Sequence, residues 1–127
     1  MCDTPRIYST TGRLEYLKDY AVVWINGDLA RYYRALIPKY YQVQGTRYNP
    51  HITVVRLDLE KPDKTNWGQF DGERIVVRYD AFIRNSGVYW WIDCYAPRIG
   101  EIRKTLGLAE FRDGYRRYHL TIGNNKS

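Results

Sequence analysis

Apolar residues recur along this chain at two spacings, and the switches between them mark out its elements. Over 13–17 polar and apolar residues alternate, and 20–25 is almost wholly apolar; both predict strands. Asn26-Gly27-Asp28 then offers a turn and a helix cap. Leu29, Tyr32, Tyr33, Leu36 and Ile37 follow at helical spacing until Pro38, which closes or bends the helix. A loop over 44–50 leads to a strand over 51–57, and the polar stretch 58–72 reads as a flexible loop. Strands over 74–82 and 88–95 form a hairpin across Arg84-Asn85-Ser86-Gly87, whose residues favour reversal. Pro97 starts a second helix with Ile99, Ile102 and Leu106 as its apolar stripe, and Gly107 ends it. A last strand over 118–123 precedes the polar tail Asn124-Asn125-Lys126-Ser127.

This order repeats a strand-helix-strand unit. Val22-Val23-Trp24-Ile25-Asn26 opens the first copy and Tyr89-Trp90-Trp91-Ile92-Asp93 the second. Each copy ends in a similar tetrapeptide, His51-Ile52-Thr53-Val54 and His119-Leu120-Thr121-Ile122. Trp24 to His51 is 27 residues and Trp91 to His119 is 28. In a strand, His and Thr two apart share one face while the apolar residues take the other. The two motifs contain both histidines of the chain. A duplicated unit implies a pseudo-two-fold arrangement in which the histidines face each other across a cleft.

With 127 residues the chain is expected to form one domain, its units spanning about 20–57 and about 74–123. Cys2 and Cys94 make no disulfide framework and lack metal-ligand spacing, which points to a reducing cytoplasm. Met1-Cys2-Asp3-Thr4-Pro5 has no signal-peptide core, and no run approaches the roughly 18 apolar residues of a membrane span. A soluble intracellular protein is expected. A formal charge of +6 favours an anionic partner. The 13 tyrosines often neighbour arginine, as in Arg31-Tyr32-Tyr33-Arg34, Arg47-Tyr48 and Tyr115-Arg116-Arg117-Tyr118, a pairing suited to bases and phosphates.

Paired histidines suggest a reaction. Cleaving a phosphodiester requires taking one proton, giving another and neutralising charge on the nonbridging oxygens. Histidine, with an ordinary pKa near ~6.5, does either proton job at neutral pH. Thr53 and Thr121 are placed to donate to the nonbridging oxygens. Two histidines without a third compact ligand rarely hold zinc, so neither metal nor cofactor is expected. A ribose 2'-hydroxyl as nucleophile would make DNA immune, whereas water would open a cyclic phosphate; the motifs leave both open, as they do which histidine is acid and which is base.

The two motifs, in equivalent positions of a repeat, resemble the 2H phosphoesterase superfamily, named for paired His-x-Ser/Thr-x motifs, over most of the chain. The resemblance implies an α+β fold of two lobes, a pseudo-two-fold repeat with a central groove between antiparallel sheets. It implies His51, Thr53, His119 and Thr121 as catalytic residues. Within the superfamily, the texts Arg31-Tyr32-Tyr33-Arg34 and Asn66-Trp67-Gly68-Gln69-Phe70-Asp71-Gly72 are most similar to phage anti-CBASS nucleases. Those enzymes cleave cyclic di- and trinucleotide signals of bacterial antiviral defence, in the host cytoplasm, and stack bases on aromatic side chains. By that likeness Trp67 and Tyr8 are the expected base-stacking residues. Arg117 is the expected phosphate contact, with Arg47 and Arg56 flanking the first motif. Only eight residues follow His119, fewer than in those nucleases, so a covering segment is expected from another protomer or from 58–72. The alternatives are an RNA-end or 2',3'-cyclic phosphate phosphodiesterase and a noncatalytic nucleotide sponge.

Overall fold

A computed structural model of the protein describes residues 7–112 and 115–125. The chain is α+β. Its strands are β1 (Tyr8–Tyr16), β2 (Tyr20–Trp24), β3 (Val43–Gln44), β4 (His51–Arg56), β5 (Arg74–Asn85), β6 (Tyr89–Tyr95) and β7 (Tyr118–Asn125). Helix α1 is Gly27–Ala35 and α2 is Pro97–Thr105. All strand pairings are antiparallel, in the order β3-β7-β4-β2-β1-β5-β6, and β6 also pairs with β7. Six strands thus close into a barrel, with the two-residue β3 appended to the end of β7.

Around the barrel the order is palindromic: β4-β2-β1 from the first unit meets β5-β6-β7 from the second. The units join at β1 against β5, and again where Ile52 opposes Leu120, the second residue of each motif. The sequence suggested two sheets facing across a groove, whereas the described chain has one continuous sheet. β1 begins at Tyr8 rather than at 13, and β5 continues to Asn85. The added residues Ser9, Thr10 and Thr11 pair with Arg78, Val77 and Val76. Their polar text lacks the alternation by which a strand announces itself, so only the pairing reveals it.

Register and burial separate the two faces of the sheet. Leu14, Val23, Ile52, Val54, Ile75, Val77, Ile92, Leu120 and Ile122 are buried on one face. There they join Ala30 and Tyr33 of α1 and Ile99 and Ile102 of α2 in a single core. The helices form where the pattern predicts. Asn26 caps α1 by accepting from the Asp28 amide at 2.8 Å, and Pro97 occupies the first turn of α2. Pro38 ends the first helical pattern and leads into a 3-10 turn, Lys39–Tyr41.

The segment 58–72, read from sequence as a flexible loop, contains a 3-10 turn, Lys64–Asn66, and is tied to remote elements. The Asp63 amide donates to the Leu106 carbonyl at 2.7 Å, Asn66 Nδ2 to the Thr105 carbonyl at 2.7 Å and the Gly72 amide to the Leu14 carbonyl at 2.8 Å. Its partners lie in remote elements, so no local periodicity signals them. At the C-terminal side, Asn124 and Asn125 belong to β7 rather than to a tail, because β3 and β6 pair with them or beside them; Lys126 and Ser127 lie outside the described residues. Cys94 is buried and free, its thiol pushed up to about 12 by burial, and Cys2 lies outside the described residues. Among the described residues, no helix is long and apolar enough to cross a membrane.

Candidate active site

The motif strands β4 and β7 turn His51, Thr53, His119 and Thr121 away from the core, since Ile52, Val54, Leu120 and Ile122 between them are buried. All four polar side chains line one cavity of about 210 Å³, with Arg56, Arg112 and Arg117 also on its wall. The pairing read from sequence is therefore spatial as well.

Each motif is followed by the same irregularity. On β4, Val22 faces Thr53 but Ala21 faces Val55, so Val54 is an extra residue. On β7, Trp91 faces Thr121 but Trp90 faces Gly123, so Ile122 is extra. Two bulges thus sit immediately beyond the two threonines, at the place where a bulge re-aims a strand and leaves backbone groups without ladder partners. A cation serves each freed carbonyl from the opposite unit: Arg34 of α1 donates to the Ile122 carbonyl at 3.1 Å, and Arg103 of α2 to the Val54 carbonyl at 2.6 Å. Each helix thereby anchors the motif strand of the other unit. Neither bulge nor crossing has a signature in the sequence.

The two anchors differ in burial. Arg103 is 2% exposed and also donates to both Glu60 oxygens, at 2.9 and 2.6 Å, and to the Ala109 carbonyl at 2.8 Å. Such a buried pair is tolerable because its hydrogen bonds replace the lost water. Among the described residues Arg34 bonds the Ile122 carbonyl alone, and it is half-buried.

The histidines differ as well. The His51 ring lies against Trp24, its neighbour on β2, with centroids 5.6 Å apart. Its Nδ1 is 2.8 Å from the Asn49 carbonyl. A carbonyl only accepts, so in the neutral ring Nδ1 carries the hydrogen and Nε2 is the basic nitrogen. The His119 ring lies 5.6 Å from Trp91 and 5.5 Å from Tyr115. The residue directly opposite His119 is Asp93, however, not Trp91. Matching the units by their tryptophans, as the spacing suggests, is thus displaced by two residues from the sheet register: Trp24 corresponds to Asp93. His119 Nε2 is 3.4 Å from Asp93 Oδ1. Burial holds the His119 pKa below its ordinary value, with Asp93 opposing that shift and Arg112 and Arg84 adding to it.

Two further cavities adjoin the first at His51. One, of about 490 Å³, is lined by residues including Arg47, Tyr48, Tyr89, Thr121 and Asn124. The other, of about 680 Å³, runs past Tyr20, Tyr48, Thr53 and Arg56 to Asp58. Tyr48 stands between them, 61% exposed, with the Arg47 guanidinium 5.8 Å from its ring centre.

Of the expected binding residues, Arg117 lines the central cavity, its guanidinium over the Tyr95 ring at 4.7 Å. Arg47 and Arg56 also reach the groove, Arg56 bound to Asp58 at 2.7 Å. Trp67 and Tyr8 line none of these cavities. Trp67 packs edge-on against Tyr16 at 4.8 Å, and Tyr8 stacks on Tyr79 at 5.7 Å. Trp67 is half-buried in that contact, and Tyr8, 42% exposed, lies on β1, which β2 separates from the motif strand β4. Tyr48, which the sequence pairs with Arg47, and Tyr89 line the cavity beside His51 instead. Arg47-Tyr48 was the available signal, an aromatic and a cation just before the first motif.

Of the expected lid, only Asp58 and Glu60 reach the cavity walls, while 63–72 is tied to α2 and β1. Among the described residues no three His, Cys, Asp or Glu side chains cluster as metal ligands. No family model, curated protein or solved structure matches the chain.

Proposed function

We propose that this protein is a metal-independent phosphodiesterase of the 2H type that cleaves cyclic oligonucleotide second messengers of bacterial antiviral defence, acting in the cytoplasm of an infected bacterium. The observation that carries the reading is the convergence of His51, Thr53, His119 and Thr121 on one cavity. The palindromic strand order and the matching bulges support a pseudo-two-fold 2H fold. In this reading the scissile phosphate sits in the central cavity. His51, basic at Nε2, takes the proton of a ribose 2'-hydroxyl. The oxygen attacks phosphorus, and the leaving 5'-oxygen takes its proton from His119, giving a 2',3'-cyclic phosphate. Thr53 and Thr121 donate to the nonbridging oxygens, each worth ~2 to 4 kcal/mol in the transition state by analogy with oxyanion holes. Arg112 and Arg117 add positive charge, and Tyr48 and Tyr89 stack the flanking bases.

A groove that continues to both sides of His51 also favours a second reading, an RNA or 2',3'-cyclic phosphate phosphodiesterase. The deciding experiment incubates the protein in EDTA with cyclic di- and trinucleotides, their 2'-deoxy analogues, a linear RNA and a 2',3'-cyclic mononucleotide, and identifies products by mass. Cleavage of the cyclic oligonucleotides and not of the deoxy analogues is expected. Turnover of RNA or the mononucleotide alone moves the protein to the second reading. Tight binding without product makes it a sponge.

A further inference from the structure

The site is symmetric in its motifs, bulges and anchors but not in what faces its histidines. Opposite His51 on the neighbouring strand stands Trp24; opposite His119 stands Asp93. Asp93 is 13% exposed at its side chain and both of its oxygens are engaged. Oδ1 accepts from Trp91 Nε1 at 3.1 Å and faces His119 Nε2 at 3.4 Å. Oδ2 lies 3.4 Å from Arg84 Nε. Arg84 in turn holds Asp80, with its nitrogens 2.8 and 3.2 Å from the two carboxylate oxygens. Asp80 comes within reach because β5 is irregular between Tyr79 and Ile83, where Ala81 adopts a positive φ of 58°. A backbone held in that conformation is strained for alanine and persists only when its surroundings fix it.

We infer that Asp93 is a positioning residue for His119, fixing the ring with its Nε2–H toward the carboxylate and Nδ1 toward the substrate, and that the Asp80–Arg84 pair holds Asp93 in place. A carboxylate in this position orients an imidazole, selects its tautomer and compensates the positive charge when the ring is protonated. The inference rests on His119 being a proton-transfer residue of the proposed phosphodiesterase. It separates the two histidines: His51 is oriented by a neutral carbonyl, His119 by a charge. Asp93 offsets part of the burial that holds the His119 pKa below its ordinary value, so without it the ring would be harder still to protonate.

The groups facing His119 set its titration: Asp93 on β6, Arg84 and Asp80 on β5, and Arg112 and Tyr115 before β7. His51 and Arg56 lie across the cavity on β4. With only two histidines in the chain, long-range proton–nitrogen spectra of the substrate-free protein read both rings, and His51→Gln assigns them. At high pH the neutral His119 is expected to carry its hydrogen on Nε2 and His51 on Nδ1. An Nδ1–H form of His119 in the wild-type protein would overturn the inference without any variant. In Asp93→Asn the His119 midpoint moves to lower pH while that of His51 stays; in Arg84→Gln the His119 midpoint moves up. A His119 midpoint indifferent to both substitutions also refutes it.

In turnover, Asp93→Asn is expected to lower kcat by about tenfold or more with KM nearly unchanged, and to shift the alkaline limb of the rate profile to lower pH. Asp93→Glu should restore the limb. A shift of the acidic limb instead would keep Asp93 as the positioning residue and overturn the acid role given to His119. Because the spectra need no substrate, the expected tautomer and midpoints in a protein that cleaves nothing would sink the phosphodiesterase reading and leave the hold of Asp93 on His119 intact.

Discussion

The two halves of the groove are built alike and wired differently. In each, a strand opens on His-x-Thr, a bulge follows the threonine, and an arginine from the other unit's helix caps the carbonyl that the bulge frees. Around His51, Trp24 backs the ring, a backbone carbonyl orients it, and the buried Arg103, paired with Glu60, anchors the strand. Around His119 lies the charge network of Asp80, Arg84 and Asp93, and the half-buried Arg34 anchors the strand. In the proposed reaction the symmetry would hold one phosphate between two like groups, while the unlike partners, a backbone carbonyl and a carboxylate, orient the two rings differently.

The largest expected effects break the pair outright. His51→Ala and His119→Ala should each lower cleavage by about 10² to 10⁴ while nucleotide binding survives, and the double variant should lose little more than the worse single one. Binding by calorimetry beside product formation by chromatography checks this, and activity surviving both substitutions would refute the mechanism. Thr53→Val and Thr121→Val sharpen the comparison, because equivalent donors should cost similar amounts, about 10² to 10³ in kcat. A loss confined to one threonine would mean that the phosphate sits off the pseudo-axis.

Stability separates the two anchors. Glu60→Gln leaves Arg103 buried with a neutral partner and is expected to cost about 3 kcal/mol, whereas Arg34→Met, at a half-buried site, should cost about 1 kcal/mol. Denaturant midpoints measure both, and equal costs would abolish this contrast. A further pair of variants distinguishes groove from scaffold. Tyr48→Ala should weaken nucleotide binding by ~1 to 3 kcal/mol with little change in melting temperature, while Trp67→Ala should lower the melting temperature and leave binding alone. The reverse outcome would restore Trp67 as the stacking residue.

What could be read in advance follows from the range over which each feature acts. Both helices, their caps and the motif strands were legible because period, Asn26 and Pro97 act within a few residues of themselves. The polar pairing of Ser9 to Thr11 with β5, the remote ties of 58–72 and the crossing of Arg34 and Arg103 were not, since each depends on a partner far along the chain. The contacts of Trp67 with Tyr16 and of Tyr8 with Tyr79, away from the cavities, have the same origin: a partner far along the chain.

The repeat, the paired His-x-Thr faces and the excess of basic residues are properties of the chain alone, because alternation in a strand dictates which side chains share a face whatever the strand packs against. Which residue stands opposite each histidine was decided only by tertiary structure. Register is set by bulges and by the burial of the other face, and a shift of two residues preserves the alternation while exchanging a tryptophan for an aspartate beside the imidazole.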